Sequence, residues 1–403
     1  MIRLAGAQLL LFITTPLFAI EWQFSEKIQV TQEVGDRIFH HLDAPGRKHI
    51  AVSNDLIAIV WEDNHTGKPQ AYLAYKQKNE KVFSGPVQLS TAETAFAPAV
   101  TALDNGVFVV GWEQDNALYY RIYEQGRLSP PILISKQARQ LALARHSSHS
   151  IIATWVHQDQ KRASHILSAM ITLDPKVKLT WVSKPVTLDT ASAGSQLLYP
   201  TITRSTSGIV VVWENRERGH TILQRSFSND GRTFSRPMQL NESVVKSTKY
   251  GRGSGVTRAA ACTYSKDSQV AVVWMDKRGS RTGYDIYGAI SRDGGRTFEK
   301  NEIVQDDFGN DKTQWNPAIA GNQHGDLVAA WDDDREDSSD VWFSYRNEDG
   351  WSEDMAISPA SGEKHQVGPA IVFDSNRNLH VIWLEQSADF SPTRLYYAMG
   401  TMR

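Results

Sequence analysis

Two stretches of this chain gather the side chains best suited to chemistry. Gln32–His49 (QEVGDRIFHHLDAPGRKH) carries Arg37, His40, His41, Arg47, Lys48 and His49, and Glu242–Arg258 (ESVVKSTKYGRGSGVTR) carries Lys246, Lys249, Tyr250, Arg252 and Arg258. Guanidinium groups grip carboxylates through paired N–H donors, and imidazoles or a tyrosine beside them can move protons. A third set is acidic: Glu62 and Asp63, Glu113, Glu214, Asp276, Asp332 to Asp334 and Glu385 each follow closely on a tryptophan. Arg278 and Arg335 stand two residues beyond Asp276 and Asp333. Such acids either shape their loops by turn hydrogen bonds and acid–arginine pairs, or line a carboxylate pocket. At Asp332–Asp334 the oxygens would suit a structural calcium ion, although the alternating D-x-D-x-D-G loop is missing. No other cofactor is expected.

The elements that position these residues are written as a repeat. Seven apolar runs end in tryptophan: LIAIVW at Trp61, GVFVVGW at Trp112, SIIATW at Trp155, GIVVVW at Trp213, QVAVVW at Trp274, DLVAAW at Trp331 and NLHVIW at Trp383. Their spacing averages roughly 54 residues, the length of a four-stranded propeller blade. A small-residue strand precedes each (IAVS, APAVT, QLALA, YPTIT, RAAACT, NPAIA, GPAIV), as the crowded innermost position of a blade requires. Aromatic, alternating third strands follow, such as ALYYRIY and DVWFSYR. The fourth strand reads FSGPVQLS, LSPPILIS, VSKPVTLD, FSRPMQLN, FEKNEIVQ and WSEDMAIS, one copy short of seven. The missing copy, FSEKIQVT at Phe24–Thr31, stands near the N-terminus. The expected fold is therefore all-β: a seven-bladed β-propeller of four-stranded antiparallel blades, its ring closed by Phe24–Thr31 completing the last blade. Closure leaves only short, protected edges.

Residues 1–19 carry Arg3, no acid and the apolar run LLLFITTPLFA, the layout of a signal peptide too short to span a bilayer comfortably. Residues 20–403 then form a single domain, exported to the periplasm or beyond, with no membrane span and expected to be a monomer. The formal net charge of −2 argues against nucleic-acid binding by phosphate neutralisation. The single cysteine, Cys262, excludes an intrachain disulfide and reads as a buried small hydrophobe.

Ser291–Phe298 (SRDGGRTF) matches the Asp-box pattern S-x-D-x-G-x-T-[FW], and Ser228–Phe234 (SNDGRTF) is the same motif one residue shorter. With these motifs the chain resembles the sialidase-like, BNR-repeat propellers of exported bacterial proteins. The resemblance implies the fold and a structural box: Ser228, Asp230, Gly231 and Phe234, with Ser291, Asp293, Gly295 and Phe298, make a turn on the rim opposite the usual ligand face. It carries no catalytic residue across. Sialidases have six blades and an R-I-P motif, and the nearest text here is Arg37-Ile38-Phe39.

In a propeller, the loops joining second to third strands share one face with those joining fourth strands to the next first. Candidate ligand-binding residues on that face are Arg37, His40, His41, Arg47, Lys249, Tyr250, Arg252, Arg258, Asp63, Asp276 and Asp333. The expected function is a binding module for an anionic glycan or an exported protein. Two alternatives are a glycan-active hydrolase or polysaccharide lyase using loops 32–49 and 242–258, and an assembly factor for another exported protein.

Overall fold

In a computed structural model the described residues are 21–402, apart from 32–34, 44–45, 175–178, 218, 243–254, 278–282, 307, 309–310, 337 and 388–391. The expected signal peptide (1–19), Lys249, Tyr250 and Arg252 thus lie outside the described residues, as does Arg278. The described chain is all-β, with one short 3-10 turn at Ser358–Ala360. Among the described residues no helix is long and apolar enough to cross a membrane.

The strands form five five-stranded sheets and one eight-stranded sheet. The eight-stranded sheet divides at its middle. Ser195–Ser205, Gly208–Glu217 and His220–Ser228 pair antiparallel, as do Gly255–Tyr264, Gln269–Lys277 and Asp285–Ser291. A single parallel pair, Thr221 with Gly255, joins the halves. Each tryptophan run is thus the second strand of an antiparallel meander. Its continuous apolar text follows from burial on both faces.

The first strands neighbour one another in chain order: Ile50–Ser53, Phe96–Ala102, Ala138–Ser147, Ser195–Ser205, Gly255–Tyr264, Gln314–Gly321 and His365–Phe373, with the last also against the first. Small side chains at their centres, such as those of PAV, AAAC and PAIA, permit that approach. The core is correspondingly divided into clusters, each spanning two consecutive meanders around one fully buried tryptophan. In the cluster of Trp61 the partners are Ile382, Leu384, Leu395 and Tyr397 of the final meander.

The segment near the N-terminus pairs where its sequence places it. Trp22–Phe24 and Ile28–Gln29 run antiparallel to Thr393–Met402, with Phe24 opposite Gly400 and Ile28 opposite Tyr397. Fourth strands are commonly broken in two, as at Arg127–Leu128 and Ile132–Lys136, or Leu179–Val182 and Val186–Thr190. Pro130–Pro131 and Pro185 fall in the breaks, where a residue without an N–H cannot extend the ladder.

The two segments expected to be Asp-boxes are turns after third strands. The Ser228 hydroxyl donates to Asp230 at 3.1 Å and accepts the Gly231 N–H at 2.9 Å, while Asp230 accepts the Thr233 N–H at 2.9 Å. Ser291, Asp293, Gly295 and Thr297 repeat this arrangement. Gly295 has φ +101°, and a Cβ there would stand 2.0 Å from Val210. Against the cost of burial, hydrogen bonds from Thr297 and Ser291 hold the Asp293 carboxyl down at about 2. Phe234 and Phe298 pack against the clusters around Trp213 and Trp274.

Candidate functional site

Six of the first strands share a local distortion. Register shifts fall between Phe96 and Ala99, Arg139 and Ala142, Leu198 and Thr201, Thr257 and Ala260, Trp315 and Ala318, and Val367 and Ala370. Within them Ala97, Gln140, Tyr199, Arg258, Asn316 and Gly368 have φ between +48° and +64°. For a residue with a Cβ this costs about 1–2 kcal/mol, and such bulges serve to re-aim side chains.

The acids after the tryptophans hold these bulges. Glu62 accepts the Ala97 N–H at 3.0 Å, Glu113 that of Gln140 at 2.6 Å, Glu214 that of Arg258 at 2.9 Å and Asp332 that of Gly368 at 3.1 Å. Each bond runs from one meander to the next. The acids one position further on cap their own tryptophan: the indole N–H donates to Asp63 at 2.6 Å, Asp276 at 3.0 Å and Asp333 at 2.9 Å. Gln114 does the same for Trp112 at 2.7 Å. Asp332, Asp333 and Asp334 direct oxygens to Asn316, Arg335 and Ser339 respectively. Among the described residues no group of three His, Cys, Asp or Glu side chains is arranged to hold a metal ion.

Residues 46–49 lie where the first strands converge. The Gly46 carbonyl accepts the Thr201 hydroxyl at 3.2 Å. Arg47 is buried, pairing with Asp43 at 2.8 Å and Glu113 at 3.0 Å and donating to the Ala97 carbonyl at 3.2 Å. Asp43 also faces Arg258 at 3.8 Å, and the Arg258 guanidinium stacks 4.0 Å from the Tyr199 ring. His41 is exposed, and its interaction with the Glu62 carboxylate 3.9 Å away raises its pKa. His40 is buried against Thr393 and Asp63, and burial lowers its pKa. Arg37 is exposed. Of the expected site residues, the fold therefore brings Arg47, Arg258 and His41 together, whereas Asp63, Asp276 and Asp333 sit beneath their own loops.

Below this loop the first strands enclose a cavity of about 130 Å³, lined in part by Lys48, His49, Ala260 and Cys262. Burial pushes the Cys262 thiol up to about 12 and His49 down to about 4. The unfolded chain protonates this imidazole near its ordinary pKa of about 6.5, while the folded chain resists until about 4. Stability from His49 is thus full above that ordinary value and is lost as pH falls toward 4. In thermal melts, His49→Gln should lose less stability than the natural chain between pH 7 and pH 4. Parallel losses would contradict this.

A second concavity, about 440 Å³, opens beside the bulge at Trp315. Trp315, Asp332, Asp334, Glu336 and His365 line it. Trp315 is 37% exposed, unlike the seven repeat tryptophans. Its N–H donates to Asp334 at 3.0 Å, and Asp334 also accepts the Ser339 hydroxyl at 2.5 Å. Burial pushes Asp332 up to about 7. Asp43, Tyr199, Gln140, Asn316, Trp315 and His365 escape a reading of the sequence, because nothing in single-strand text such as QLLYPTIT marks a bulge.

Solved structures share this architecture. The fold is of propeller type. The polysaccharide lyase Uly1 is similar with a TM-score of 0.62 at 8% identity, covering 93% of this chain and 99% of the other. A protein of unknown function from Dyadobacter fermentans gives 0.53 at 10% identity, covering 95% and 99%. The α-L-arabinofuranosidase Arb93A from Fusarium graminearum gives 0.52 at 8% identity, covering 93% and 97%. No family model and no curated protein matches the chain in sequence. At these identities the likeness concerns the fold alone.

Proposed function

We propose that this chain is an exported, monomeric, seven-bladed β-propeller of the sialidase-like type that binds an anionic glycan on the bulge-bearing face and performs no chemistry there. Supporting seven blades are the seven tryptophan runs, the adjacency of the last first-strand to the first, and the pairing of Trp22–Gln29 with the final strand. Two structural neighbours, a polysaccharide lyase and an arabinofuranosidase, support a glycan as ligand.

One observation carries the choice of an anionic ligand. Arg258 stands on a left-handed backbone, its guanidinium stacked on Tyr199 and 3.8 Å from the Asp43 carboxylate, beyond hydrogen-bond length. A guanidinium so oriented, with His41, Arg37, Lys249, Tyr250 and Arg252 contributed by the two long loops, suits a uronate carboxylate. Glu62, Glu113, Glu214 and Asp332 are engaged in holding bulges, and Asp63, Asp276 and Asp333 in holding indoles, which favours binding over acid–base work.

In titration calorimetry with oligogalacturonate, Arg258→Ala should weaken binding roughly tenfold and flatten its salt dependence. Unchanged affinity would remove Arg258 from the site. A lyase is the second reading, favoured by His41 and Tyr199 standing near Arg258. A polysaccharide panel read for new reducing ends and for ultraviolet-absorbing unsaturated uronates separates the two. Silence on that panel and on glycan arrays would leave an exported protein as partner.

A further inference from the structure

We propose that the concavity beside Trp315 is a separate subsite for a hexosamine unit with a free amine; it rests on the glycan-binding reading but uses none of the residues around Arg258. The first ground is shape. A space of about 440 Å³ is of the size that takes a sugar unit or two, and it contains an exposed indole on a chain that buries its seven repeat tryptophans completely. The second is rigidity. The Trp315 N–H is committed to Asp334, Asp334 is braced by Ser339, and Tyr284 packs against the indole at 5.4 Å. A fixed aromatic platform binds the apolar face of a pyranose at little entropic cost.

The third ground is charge. Asp332, Asp334 and Glu336 line the space, and no lysine or arginine does so among the described residues. The His365 ring accepts the Ser339 N–H at Nδ1, 3.1 Å away. Asp332 is buried and anchored to Gly368 and Asn316, which leaves Asp334 and the exposed Glu336 as the carboxylates a cation would meet. A uronate would be repelled here. A sugar ammonium would be attracted, and N-acetylation would abolish that attraction by removing the charge.

The test is calorimetry of residues 20–403 with glucosamine oligomers and with their N-acetylated counterparts. The free-amine oligomers should bind at least roughly tenfold tighter, and Glu336→Gln, an exposed change that leaves the fold alone, should reduce that preference about fivefold. Trp315→Ala should weaken both oligomers. Equal binding of the two oligomers, or a preference untouched by Glu336→Gln, overturns the subsite. If oligogalacturonate binds through Arg258 while neither glucosamine oligomer binds, the subsite falls and the anionic-glycan reading stands. Glucosamine binding without oligogalacturonate binding upholds the subsite and removes the anionic-glycan reading.

Discussion

A chain lacking residues 1–31 should melt far below one lacking residues 1–20, and should aggregate on standing. The segment removed, 21–31, supplies the outer strands on Thr393–Met402. Trp22 and Phe24 pack against Phe343, at ring distances of 5.5 and 5.6 Å. Val30 and Ile28 belong to the cluster around Trp61. Lys27 pairs with Glu385 and lies 4.6 Å over the Tyr396 ring. Four partly or fully buried apolar side chains contribute on the order of 5 kcal/mol. Their removal also bares the edge of the final sheet, an invitation to intermolecular pairing. The decisive check is addition in trans: a peptide of residues 21–31 should raise the melting temperature of the truncated chain and not that of the longer one. Equal melting temperatures for the two chains would show that this strand does not latch the fold.

The second large effect is expected at Arg335. This side chain reaches Asp333 at 2.7 Å, Asp354 at 2.5 Å and Asp306 at 3.3 Å, and stacks 4.2 Å from Trp342. The Asp333 and Asp354 side chains are wholly buried. Replacing Arg335 by Ala strands these carboxylates without their cation, at a cost of about 3–5 kcal/mol. Arg335→Lys should recover only part, since one ammonium cannot serve three carboxylates as a planar fork does. Urea unfolding of the three chains measures both differences.

The same cluster links stability to pH. Burial, then the hydrogen bond with Asp306, raises Asp354 to about 7 against the pull of Arg335. The folded chain therefore keeps a proton that the unfolded chain loses near pH 4. The associated stability is complete below pH 4 and is lost as pH rises to about 7. Urea titrations should show Asp354→Asn gaining on the natural chain as pH is raised through that window. A constant difference between the two would refute the assignment.

Much of the architecture is legible in the residues themselves. Seven apolar runs ending in tryptophan, each after a small-residue strand, report a repeating antiparallel unit, because burial on both faces erases alternation and close approach favours small side chains. FSEKIQVT declares its partner by resembling the fourth strands elsewhere, and it pairs beside Thr393–Met402. The turns at Asp230 and Asp293 are equally local, a matter of short polar side chains folding back on their own backbone.

The site is another matter. Asp63, Asp276 and Asp333 stand out as acids on a loop face, yet their carboxylates lie beneath it, accepting the indole N–H of a tryptophan two residues earlier. Arg47 reads as a ligand-seeking cation and is instead a buried clamp on Asp43 and Glu113. Tyr199 and Arg258 are 59 positions apart and meet only because consecutive first strands lie side by side, each with a bulge at the same height. Hydrophobic period and turn chemistry are properties of neighbours along the chain, so they suffice to specify the repeating unit, its strand order and the strand that completes the last sheet. Which charges face outward, and which aromatic rings stay exposed, depends on contacts between residues far apart in sequence. Those contacts exist only once the first strands have converged.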